Sequence, residues 1–162
     1  MAAIADFTMI LRTLRSHDVE FIIVGGVSAV LNGAPIATFD VDIVHRRTRD
    51  NVARLKAALA ELDAHCRNRP SQKVRPDTAQ LAGPGRQLLL TSAGPLDVLG
   101  ALGDIEYEDL LTDTTEFMID DISGIRVLNL DRLILLKEAL GREKDNAVLP
   151  VLRRTLEERE AH

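Results

Sequence analysis

Aromatic residues are scarce in this sequence: its 162 residues contain no tryptophan, one tyrosine and four phenylalanines. Aliphatic side chains must therefore supply the core, which a chain of this length can build as one domain. The scarcity also argues against a base-stacking platform for single-stranded nucleic acid, because such platforms use several aromatic side chains.

Acidic residues outnumber basic ones, 25 to 20, and the sequence has a single cysteine. The net charge of −5 makes the chain a poor non-specific binder of nucleic acid, although Arg67, Arg69, Lys73 and Arg75 lie close enough in sequence to leave a local basic patch open. The single cysteine, Cys66, cannot form an internal disulfide, which favours a reducing compartment. No secretion signal and no apolar run of about 20 residues is present, so we expect a cytoplasmic protein without a membrane span.

The spacing of apolar residues predicts helices that alternate with short strands. This order is typical of an α/β (α+β) fold with a mixed central sheet and flanking helices, formed by residues 1–162 as one domain, with C-terminal helices over about 130–162 packed on it. Helices are predicted over 3–16, 27–32, 49–65, 131–140 and from about 144 to the C-terminus; strands over 20–24, 38–44, 87–91, 95–100, 116–119 and 125–130; and mainly loop, with a short edge strand, over 66–86.

The most informative stretch runs from residue 24 to residue 44. A glycine pair, Gly25-Gly26, separates a predicted strand from a predicted helix, where it permits a tight turn beside the free N–H groups that bind phosphates. Asp40 and Asp42 lie two residues apart on a predicted strand, so both face the same side. Two neighbouring carboxylates repel each other unless a cation lies between them, and Mg²⁺ prefers oxygen ligands.

A third carboxylate, Asp97, lies within another apolar segment, where burial is costly without a partner. Each feature also has a simpler interpretation. The glycine pair could serve only the turn, Asp40 and Asp42 could form an exposed strand face, and Asp97 could cap the turn after Gly94-Pro95.

Taken together, these features resemble the polymerase-β-like nucleotidyltransferase superfamily, and most closely its small toxin-like branch related to the abortive-infection (AbiEii) nucleotidyltransferases. The shared pattern is an apolar strand (residues 21–24), a glycine pair, a short helix (27–32), and an Asp-x-Asp element flanked by apolar residues. The element Arg-x-Lys-Asp at 142–145 resembles the same branch. The resemblance implies a nucleotidyltransferase fold.

The resemblance also implies a set of site residues. Asp40 and Asp42 would bind Mg²⁺ or Mn²⁺, and Asp97 is the best match to the third catalytic aspartate. The residues implied to bind the nucleotide are Gly25, Gly26, Ser28, Lys137 and Lys144. Other roles stay open for three of them: Ser28 could bond locally, Lys137 could extend to solvent, and Lys144 could merely begin the last helix.

The function implied is transfer of a nucleoside monophosphate from a nucleoside triphosphate such as ATP to an acceptor hydroxyl. The acceptor would be an RNA or tRNA 3′ end, or a protein, and in the wider superfamily a small molecule. The toxin-like branch further implies a toxin with an antitoxin protein as partner. One departure matters: Ile36 stands where close relatives often carry an arginine. The alternative is therefore a catalytically inactive module of the same fold that binds nucleotide or protein.

Overall fold

A computed structural model describes residues 6–161, in which helices and strands alternate along the chain. The helices are α1 (Phe7–Ser16), α2 (Gly25–Leu31), α3 (Arg49–Glu61), α4 (Thr78–Ala82), α5 (Tyr107–Leu110), α6 (Leu130–Leu140) and α7 (Glu143–Glu160). The strands are β1 (Phe21–Val24), β2 (Val41–His45), β3 (His65–Cys66), β4 (Arg86–Thr91), β5 (Gly94–Leu99), β6 (Thr114–Ile119) and β7 (Ile122–Leu128). Two short 3₁₀ segments cover Pro70–Gln72 and Leu111–Asp113.

All seven strands form one sheet, in the order β3-β4-β5-β2-β1-β7-β6. Strands β2 and β5 are parallel, as are β1 and β7, while the other neighbouring pairs are antiparallel. This mixed sheet with flanking helices confirms the predicted fold class. Strand β2 lies at the centre of the sheet, so a side chain near its start is surrounded by structure on both sides.

The sheet buries a different apolar cluster on each face. Along β2, Val41 and Ile43 point into the cluster that includes α1 and α3, whereas Val44 points into the cluster that includes α6 and α7. Because side chains alternate along a strand, Asp42 lies on the same face as Val44. The same alternation in β5 places Asp97 on that face, so both carboxylates lie on the side covered by α6 and α7.

The predicted elements are present, with changes at their ends. Residues 3–5 of the first predicted helix lie outside the described part of the chain. The helix predicted over 49–65 begins after its Thr48 cap, as expected, but ends at Glu61, because Asp63 takes a positive φ of 51° and the chain turns into β3. The region 66–86 is less irregular than predicted, since it contains α4.

The strand predicted over 38–44 begins only at Val41. The reason is a lack of partners: β1 ends at Val24, which pairs with Asp42, and the pairing of β2 with β5 begins at Val41. Residues 34–39 therefore have no regular structure, and Asp40 lies in a bend just before the strand. Within residues 6–161, no helix is both long and apolar enough to span a bilayer.

Candidate metal and nucleotide site

Three carboxylates meet at the start of β2. Asp42 and Asp97 pair directly across the parallel strands β2 and β5, and Asp40 approaches them from the preceding bend. One oxygen atom from each of the three lies within 4.8 Å of the others. Strand alternation explains why Asp42 faces this site. It does not explain the position of Asp40, which the sequence predicted to lie on the strand, because Asp40 is brought to the site by the bend before β2.

The glycine pair closes tightly against this site. Gly25 has a φ of +67°, and a Cβ atom there would collide with Oδ2 of Asp42. A Cβ atom on Gly26 would lie 2.7 Å from Oγ1 of Thr38, in the segment that carries Asp40. The positive φ of Gly25 favours glycine there, and the absence of side chains at both positions lets α2 begin directly beside the carboxylates.

Burial and mutual repulsion perturb two of the carboxylates. Burial, followed by a hydrogen bond and repulsion from Asp97, raises the pKa of Asp42 to about 8. Burial and the nearby Asp97 also raise the pKa of Asp40. At neutral pH and without a cation, the shift in the pKa of Asp42 favours its protonated acid, and a bound divalent cation would reverse that preference.

Two arginines, which the sequence interpretation did not place here, contact the third carboxylate. Arg67 donates hydrogen bonds from Nη2 to Oδ1 of Asp97 and to the carbonyl oxygen of Leu89. Its Nε is buried and has no partner among the described residues. Arg86 places Nη2 3.8 Å from Oδ2 of Asp97. The only local signal was the cluster of basic residues after Cys66, which gives no hint that β3 pairs with β4 beside β5.

A second charged group connects α6 and α7. Asp145 is fully buried and accepts hydrogen bonds from Nε of Arg142 (2.6 Å), Nη2 of Arg142 (3.2 Å) and Nζ of Lys137 (3.1 Å). The bonds from Arg142, and then the charge and hydrogen bond of Lys137, keep the pKa of Asp145 below its usual value. Asp145 is thus an ionised anchor that holds two cationic side chains in place.

One cavity of about 740 Å³ joins these groups. Its polar wall includes Gly25, Gly26, Asp40, Asp42, Asp97, Arg86, Lys137, Arg142 and Lys144. Its apolar wall includes Ile36, Leu102, Ile105, Leu133, Leu136, Leu140 and Val148. The cavity therefore offers carboxylates and cationic side chains together with an apolar surface of appreciable size.

Ser28 lies outside this wall. Its side chain is completely buried, and its hydroxyl donates a 2.6 Å hydrogen bond to the carbonyl oxygen of Gly25. The structure therefore gives Ser28 a local role at the start of α2, which was the alternative to a phosphate contact.

The carboxylate cluster has the composition expected of a Mg²⁺ or Mn²⁺ site. Its donors are all oxygen atoms, and among residues 6–161 no His or Cys joins the cluster to select zinc. Oxygen ligands on one Mg²⁺ ion, each at about 2.1 Å, lie at most about 4.2 Å apart. Donor oxygens that already lie within 4.8 Å of one another can reach this separation by small side-chain rotations, so the residues fit the ion.

No family model matches the chain. No curated protein matches it either. Among solved structures, the chain is similar to the crystal structure of a candidate nucleotidyltransferase from Thermotoga maritima, with a TM-score of 0.59 and 20% sequence identity. The match covers 94% of this chain and 91% of the other. The likeness confirms the nucleotidyltransferase-like fold, whereas membership of the toxin-like branch stays a prediction.

Proposed function

We propose that this chain is a metal-dependent nucleotidyltransferase that moves a nucleoside monophosphate from a nucleoside triphosphate to an acceptor hydroxyl. The observation that carries the proposal is the meeting of Asp40, Asp42 and Asp97 in a cavity whose polar wall also holds Lys137 and Lys144. Carboxylates that hold a divalent ion and cations that hold a polyphosphate are the two needs of this reaction. The nucleotidyltransferase-like fold supports the same assignment.

Asp40, Asp42 and Asp97 would hold Mg²⁺ or Mn²⁺. The bound ions would neutralise the charge of the phosphates and align the acceptor with the α-phosphorus. The acceptor oxygen forms a new bond to that phosphorus, the bond to the oxygen bridging to the β-phosphorus breaks, and pyrophosphate leaves with its electron pair.

Asp97 is the residue best placed to take the proton of the acceptor hydroxyl. Its carboxylate lies with Asp40 and Asp42 at the proposed metal site, where its Oδ1 accepts a hydrogen bond from Arg67. The other oxygen, Oδ2, would act as the general base. The proton then passes to solvent.

The cationic wall would bind the β- and γ-phosphates. Lys137 has three N–H donors and Arg142 has five, and their bonds to Asp145 use one and two of these. Donors therefore remain for phosphate oxygens while Asp145 fixes both side chains in position. Lys144 adds a third positive charge, and the absence of side chains at Gly25 and Gly26 lets phosphates approach the backbone closely.

The acceptor we favour is the 3′ end of an RNA such as tRNA. Arg67 and Arg86 put positive charge beside Asp97, and cationic side chains suit a phosphate backbone better than a neutral protein hydroxyl. A tRNA-modifying toxin held in check by an antitoxin protein is consistent with this choice.

A second candidate follows from Ile36, which lines the cavity where the resembling family often has an arginine. Without that cation, the same cavity could serve a nucleotide-binding module without catalysis.

Incubation with each α-³²P-labelled nucleoside triphosphate, Mg²⁺ and total RNA separates the two candidates. The enzyme should transfer label to RNA, and a chelator should abolish the transfer. Metal-dependent nucleotide binding without label on RNA, protein or small acceptors would instead establish the binding module. A protein that binds nucleoside triphosphates equally well in excess chelator would contradict the metal-dependent enzyme.

A further inference from the structure

Phe39 is an aromatic side chain that the fold leaves exposed beside the carboxylates. It is 58% exposed, whereas the other four aromatic residues of the chain are all buried or half-buried. It immediately precedes Asp40, so the Cα atoms of the two residues lie about 3.8 Å apart. In a chain with so few aromatic residues, the exposure of one beside the carboxylates suggests a role other than core packing.

Packing in the core does not explain the position of Phe39. Had β2 extended backwards, alternation would have put Phe39 on the same face as Val41, which is completely buried beneath α1 and α3. The chain instead leaves the sheet before Val41, and Phe39, with its side chain exposed, lines the cavity of about 740 Å³. Exposure of an apolar ring sacrifices the stabilisation that burial would give, so its placement is informative.

The other residues that line this cavity indicate which kind of ligand an aromatic ring there could bind. The polar wall suits a polyphosphate, and the cavity also has an apolar wall that includes Ile36, Leu136 and Leu140. A nucleotide combines these two chemistries, because a flat aromatic base lies one ribose away from its phosphates. Apolar side chains and one ring can hold any base, since every base has a π-face.

We propose that Phe39 stacks on a nucleobase bound next to the metal site. The proposal rests on the proposed function, and it adds a base subsite to it. A single ring serves a single base, which agrees with a composition too poor in aromatics for an extended platform. The base belongs either to the incoming nucleoside triphosphate or to the terminal nucleotide of an RNA acceptor.

Tryptophan fluorescence can test this directly, because the chain has no tryptophan of its own. The variant Phe39→Trp puts a unique reporter at the proposed subsite. We expect α,β-methylene analogues of the four nucleoside triphosphates, with Mg²⁺, to quench its fluorescence, and tripolyphosphate with Mg²⁺ to leave it unchanged. The matched control is Phe117→Trp, half-buried in β6 outside the cavity wall, which should respond to neither and corrects for absorption by the bases.

Affinity measurements provide an independent readout. By calorimetry, Phe39→Ala and Phe39→Leu should each bind the analogues about 10-fold more weakly, a loss of about 1.4 kcal/mol. Phe39→Tyr should remain within about 2-fold of the wild type, because it keeps the π-face. Tripolyphosphate affinity should be the same in all four proteins, since that ligand has no base.

The source of the base follows from a further arm with a short single-stranded RNA and no nucleotide. Quenching by the analogues assigns the base to the incoming nucleotide, and quenching by the RNA alone assigns it to the acceptor; either result supports stacking.

Metal-dependent binding of tripolyphosphate with no quenching by analogue or RNA overturns the base subsite but leaves the proposed function standing. Loss of analogue and tripolyphosphate binding to the same degree in Phe39→Ala also overturns it, because Phe39 would then only shape the metal site. If tripolyphosphate does not bind even to the wild type, the proposed function itself fails.

Discussion

The substitution Asp42→Asn should have opposite effects on activity and on the stability of the metal-free protein. Asparagine is nearly isosteric with aspartate, so packing in β2 should survive, but it removes one of the carboxylates that would hold the metal. Nucleotide transfer should therefore be lost. The same change removes an acid that the fold can bury beside Asp40 and Asp97 only by keeping it protonated, so the metal-free protein should become more stable.

The size of the gain follows from the pKa of Asp42. A carboxyl with a pKa of about 3.9 in the unfolded chain and about 8 in the fold binds its proton more tightly when folded. Between these pH values the folded state holds more protons, so wild-type stability falls as the pH rises through this window. At about 1.4 kcal/mol per pKa unit, the upper limit of this cost at pH 7 is about 4 kcal/mol.

Two physical effects reduce this limit. The side chain of Asp42 is partly exposed, so water screens its charge, and one proton on the cluster relieves repulsion felt by all three carboxylates. We therefore expect Asp42→Asn to stabilise the metal-free protein by about 2 kcal/mol at pH 7 and hardly at all at pH 4. For a chain of this size, that corresponds to a rise in Tm of about 4–8 °C.

The assay is thermal unfolding in chelator-treated buffer from pH 4 to pH 8.5, repeated with Mn²⁺. Manganese should raise the Tm of the wild type but not that of Asp42→Asn. Glu157→Gln is the matched control, because it removes one charge from an exposed position on α7; its Tm should follow that of the wild type at every pH. An Asp42→Asn protein that is no more stable than the wild type at pH 8, or whose difference from it does not change with pH, would refute the repulsion argument.

Three further substitutions test other parts of the site. Arg67→Met should lower the metal-free Tm, because Asp97 loses its hydrogen-bonded cation. It should also tighten Mn²⁺ binding by several-fold in calorimetry, because a competing positive charge is gone. Weaker Mn²⁺ binding would contradict this expectation. Asp145→Asn should weaken nucleoside triphosphate binding by about 10-fold, since Lys137 and Arg142 lose their anchor, while Mn²⁺ affinity without nucleotide should not change. Ile36→Arg should tighten triphosphate binding by adding a cation to the cavity wall; unchanged binding would show that this position does not face the phosphates.

The sequence alone identified the features that depend on near neighbours. Helix and strand periods follow from residues two to four positions apart, so most elements, and the face shared by the apolar residues of α3, were predictable. The glycine pair and the spacing of Asp40 and Asp42 are equally local, and they pointed to the start of β2. The Thr48 cap could be predicted for the same reason.

Only the tertiary structure decided which distant residues join the glycine pair, Asp40 and Asp42 at the site. Asp97 meets Asp42 because β5 pairs with β2 in one particular register, and a shift by one residue would turn it to the other face of the sheet. Arg67 reaches Asp97 only because β3 and β4 extend the sheet beyond β5. The early end of β1 releases the segment before β2, which moves Asp40 off the strand and exposes Phe39. Strand order and register depend on contacts across the whole chain, and no short stretch of sequence encodes them.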